Sequence, residues 1–75
     1  MGTTEDLADK LAADVIAAMD EIDDDELATR VSEVIGASST TTQEAFLTAM
    51  RVRLSEARAR KYLEDRLAKA RAERG

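Results

Sequence analysis

From Gln43 to Ala72 the chain runs without a single proline or glycine. Nothing in that stretch halts a helix once it has begun, and most of its residues (Ala, Leu, Arg, Glu, Lys) are strong helix formers. A helix of about 30 residues reaches about 45 Å at 1.5 Å per residue. The whole chain has only 75 residues. A first helix drawn from the remainder would reach about 25 Å by the same rise. The C-terminal rod therefore outruns anything its own chain can lay beside it.

The rest of the sequence also reads as helix. Fourteen alanines stand against four valines and three isoleucines, proline is absent, and the glycines are Gly2, Gly36 and Gly75. Helix 1 is expected over about residues 4–21, with Thr3 or Thr4 as N-cap and Glu5 and Asp6 complementing the dipole. Leu7, Leu11, Val15, Met19 and Ile22 recur at helical spacing, and Ala8, Ala12 and Ala18 widen that stripe. Asp23 with Glu26 has the spacing of an N-cap and its N3 partner, which starts helix 2 near residue 24 and carries it to 35. Leu27, Val31, Val34 and Ile35 are its buried face, and Gly36 is placed to end it as a left-handed residue. Thr41 and Glu44 form a capping-box pattern, so helix 3 is expected over about 42–72.

Helix 3 carries two apolar stripes. Phe46, Leu47, Met50, Leu54 and Ala57 lie on one side. Ala45, Ala49, Val52, Ala59, Leu63, Leu67 and Ala70 lie on another, roughly 150° away at 100° per residue. The first stripe ends near Ala57, where a helix 1–helix 2 hairpin would run out; the second continues to Ala70. The first therefore suits the chain's own hairpin and the second suits another chain.

Charge divides along the same line. Residues 1–37 hold eleven acids against two bases, net −9, and residues 38–75 hold nine bases against five acids, net +4. Halves of opposite sign attract, within a chain or between copies. The expected fold class is all-α: a small three-helix unit in which an acidic helical hairpin packs on a long, basic C-terminal helix, one domain over residues 1–75.

Several functions find little support in the residues. There is no histidine and no cysteine, so disulfides and the usual zinc, copper and haem ligands are missing, and no cofactor or metal is expected. The common acyl-transfer constellations need the same residues, and an enzyme is not expected. The acidic run Asp20, Glu21, Asp23, Asp24, Asp25, Glu26 lacks the glycine and the ligand register of a calcium loop, and reads as helix capping with a favourable dipole interaction. Ser38, Ser39, Thr40, Thr41 and Thr42 lack the glycines and lysine of a phosphate-binding loop, and read as an interhelical connection. No apolar run approaches the roughly 18 residues of a membrane span. The acidic start lacks the basic region of a secretory signal, so a cytoplasmic setting is expected. The abundance of alanine and the preference for arginine over lysine fit a GC-rich bacterial genome.

The leading functional expectation is a noncatalytic protein–protein interaction module, or small regulator, that works through helix 3 and forms a homodimer, antiparallel so that the basic C-terminal half of one helix lies near the acidic hairpin of the other chain. Val52, Ala59, Tyr62, Leu63, Leu67 and Ala70 are the expected interface. A protein partner docking there is the related possibility. Two alternatives come from charge. Arg51, Arg53, Arg58, Arg60 and Lys61 could contact nucleic acid, although interleaved acids and a net charge of −5 weigh against it, because phosphate binding depends on net neutralisation. An acidic inhibitor or antitoxin-like protein masking a basic surface is the second.

Overall fold

The computed structural model describes residues 2–75 and consists of three α-helices: α1 (Thr3–Ile22), α2 (Leu27–Gly36) and α3 (Thr40–Arg74). The all-α class expected from the sequence is the one observed. Both shorter helices pack chiefly on α3 and touch each other less. At 35 residues α3 is longer than expected, and about 52 Å long at the usual rise.

The helix ends differ from the expected caps, each for a local reason. Gly2 is the N-cap of α1, and its amide donates to Glu5 Oε1 at 3.0 Å, so Glu5 rather than a threonine hydroxyl satisfies the first turn. Asp23 does not start α2; it ends α1 in a left-handed conformation (φ 54°, ψ 49°) with its amide returned to the Met19 carbonyl. Aspartate tolerates that region better than most residues. Asp24 then accepts the Glu26 amide on Oδ1 at 3.0 Å, a tight turn that delays α2 to Leu27. As a result Asp20, Glu21 and Asp23 sit at the negative end of the α1 dipole, without a base in that last turn. This is the opposite of the favourable placement expected from the sequence.

At the second connection Ser39, not Thr41, is the N-cap: its hydroxyl oxygen accepts the Thr42 amide at 3.1 Å. Gly36 is not left-handed. Its role is spatial. A Cβ there would lie 2.5 Å from Gln43 Nε2, and that amide donates to the Ser32 carbonyl at 3.0 Å and to the Ser32 hydroxyl at 3.3 Å. Gln43 thus ties the start of α3 to α2 and supplies the partner that buried Ser32 requires.

The core is small and built around little side chains. Ala8, Ala12 and Val15 of α1 face Phe46 and Met50 of α3, all buried, with Phe46 wholly shielded. Leu11, Ile16, Met19, Leu27, Ala28, Val31, Ile35, Ala45, Leu47 and Ala49 pack around them. Alanines four residues apart let α1 approach α3 closely enough for the Phe46 ring to fill the seam. That choice turns α1 so that Leu7 and Ile22, near its two ends, miss the centre. Leu7 (63 % exposed), Ile22 and Val34, expected in the core, face water, and Leu54 sits at the margin.

Candidate functional site

Only the N-terminal part of α3, as far as Arg53, has company. From Leu54 to Gly75 every residue is exposed, including the Ala57 expected to close the first stripe. The half that projects past α1 and α2 carries Tyr62 (70 % exposed), Leu63 (52 %) and Leu67 (41 %), with Val52 (62 %) at its base. Exposed alanines at 59 and 70 complete the apolar band. The structure therefore places all six expected interface residues on the surface of one continuous helix. The stripe's N-terminal members behave differently: Ala45 and Ala49 are half-buried against the chain's own core. The two faces of α3 therefore merge where α1 and α2 cover it, and separate only in the projecting half.

The projecting half is held straight by ion pairs four residues apart. Glu56 accepts from Arg60 Nε at 2.9 Å, and Lys61 Nζ donates to Asp65 at 3.1 Å. The Glu56 hydrogen bonds push the Arg60 guanidinium further toward its charged form. Such pairs, with the high helix propensity of the segment, support a helix that has no tertiary neighbour.

The bases considered for nucleic acid do not form one patch. Arg53 is engaged by its own chain: Nε and Nη2 donate to the two Asp9 carboxylate oxygens at 2.7 and 2.8 Å. This two-toothed contact holds the Asp9 carboxyl below its usual value of 3.8 and stabilises the charge on Arg53. Arg60 and Lys61 are taken up by Glu56 and Asp65. Arg51 and Arg58 remain without a carboxylate partner among the described residues. The acidic turn spreads its carboxylates: among the described residues no three acids converge as a metal site.

Two tertiary ties, Asp9–Arg53 and Ser32–Gln43, escaped the sequence analysis. Each links residues far apart in the chain, and neither has a spacing that announces it. No protein-family model, no curated protein and no solved structure matches the chain.

Proposed function

We propose that this protein is a noncatalytic protein–protein interaction module that acts through the projecting half of α3, by self-association. The observation that carries the reading is the exposure of Tyr62, Leu63 and Leu67 on a helix with nothing packed against it. Covering a leucine or a tyrosine ring yields on the order of 1.5–3 kcal/mol each, and a two-fold axis counts each gain twice. The alternative of nucleic-acid binding draws less support, since three of its five candidate cations already hold carboxylates. A cytoplasmic setting belongs to the same reading, and among the described residues no helix is long and apolar enough to cross a membrane.

Sedimentation equilibrium tests it. The chain is expected to reach a mass above the monomer's by high micromolar concentration, and Leu63→Asp with Leu67→Asp is expected to return it to monomer with helicity unchanged. A wild-type chain that stays monomeric throughout, or a double variant that still associates, ends this reading.

A further inference from the structure

The projecting half of α3 contains a seam with alternating spacing: Val52, Glu56, Ala59, Leu63, Arg66 and Ala70 follow one another at four, three, four, three and four residues. On a helical wheel they fall within about 40° of one direction, and this 3–4 alternation is that of a two-stranded coiled coil. All six are exposed. The seam points away from the side on which Phe46 and Met50 meet α1, so a second helix laid along it leaves the chain's own core undisturbed.

The seam is unusual in holding two charges of opposite sign, Glu56 and Arg66, placed symmetrically about its middle. We infer that two copies pair antiparallel along this seam, centred at the level of Lys61, so that Glu56 of each copy meets Arg66 of the other. The deduction rests on the self-association reading above and adds its register to the antiparallel direction expected from the sequence. Every seam residue then finds a complementary one at the same level. Val52 opposes Ala70, Ala59 opposes Leu63, and Glu56 opposes Arg66. Large residues face small ones, which allows close approach, and each acid faces a base. A parallel, in-register pair would instead set Glu56 against Glu56, Arg66 against Arg66 and Leu63 against Leu63. Two like-charge contacts inside the seam oppose that arrangement.

The electrostatics outside the seam agree. Residues 55–75 hold seven bases and four acids, net +3, while the chain's first 37 residues net −9. Antiparallel overlap carries the basic end of each α3 to the level of the second copy's acidic α1–α2 end. A parallel pair would stack the two basic ends together. Arg66 has no carboxylate partner within its own chain among the described residues, whereas Glu56 already receives Arg60. Glu56 can accept from both, because a carboxylate has capacity for several donors. Tyr62 and Leu67 flank the seam on opposite sides and close over it.

Charge reversal tests the register. At low salt, Glu56→Arg alone and Arg66→Glu alone are each expected to weaken dimerisation by at least about tenfold, since two pairs per dimer turn from attraction to repulsion. The double variant E56R/R66E is expected to restore it. Circular dichroism checks that the helix survives in each variant. The chain has no cysteine, so spin labels on Lys61→Cys or Arg71→Cys report geometry directly. Labels at 61 are expected to lie level with each other, and labels at 71 about 30 Å apart along the axis. A dimer in which the labels at 71 lie level with each other, or in which the double reversal fails to rescue, overturns the antiparallel register while leaving self-association intact. A wild-type chain that remains monomeric overturns both.

Discussion

At the residue scale, Asp9 and Arg53 form the one ion pair among the described residues that joins two helices. The Asp9 carboxyl is held below 3.8 chiefly by the hydrogen bonds from Arg53. Because the folded value is the lower one, the pair contributes stability above the unfolded value, and that contribution is lost as pH falls through the folded value. Urea unfolding of the wild type and of Asp9→Asn should therefore show a gap in midpoint at pH 6 that closes as pH drops below 3.8. Both residues are half-exposed, so added salt should narrow the gap at pH 6 as well. A gap that stays constant down to pH 2 would mean the pair does not link protonation to folding.

At the element scale, the fold depends on Phe46. Among the described residues it is the one large side chain that is wholly shielded, and Phe→Ala changes in a core cost about 3–5 kcal/mol. A chain of this length holds only about 3–5 kcal/mol in its entire core. Phe46→Ala should thus abolish the cooperative thermal transition at 25 °C and remove much of the far-ultraviolet helix signal. A variant that still melts cooperatively above 40 °C would show that the core is broader than the one described. The sequence made three helices legible because periodicity survives any particular packing, and the unbroken run from Gln43 to Ala72 announced α3. It did not show which part of each stripe would be central. Leu7 and Ile22 have the spacing of core residues, yet the close approach through Ala8 and Ala12 turned them outward, and Val34 falls on the outer side of α2. Caps were the least legible feature. Gly2, Asp23 and Ser39 each compete with neighbours of equal propensity, and the winner is fixed by where the next helix must go. The six residues expected at an interface are exposed in the single chain, because no other segment is long enough to reach them. Glu56 and Arg66 were overlooked, since an apolar count passes over charged seam positions.

At the scale of the whole molecule, the chain is extended. Its radius of gyration is 16.0 Å, against about 11 Å for a compact chain of 75 residues. The difference comes from the unaccompanied half of α3. A free helix of some twenty residues is marginal in water. Here it is sustained by continuity with the packed segment and by its own ion pairs. Amide hydrogen exchange should reveal this gradient. At low micromolar concentration, amides of residues 58–72 should exchange well ahead of those near Phe46 and Met50, and at high concentration they should slow as pairing covers them. Exchange in the projecting half that is slow and indifferent to concentration would remove the case for association.

The molecule measures 56 × 31 × 12 Å along its principal axes, and this shape governs how it moves through a gel matrix. A rod tumbles and diffuses more slowly than a sphere of equal mass. On a column calibrated with globular standards a lone chain should therefore elute ahead of its true weight and imitate a pair. Light scattering, which weighs particles without regard to their outline, separates the two.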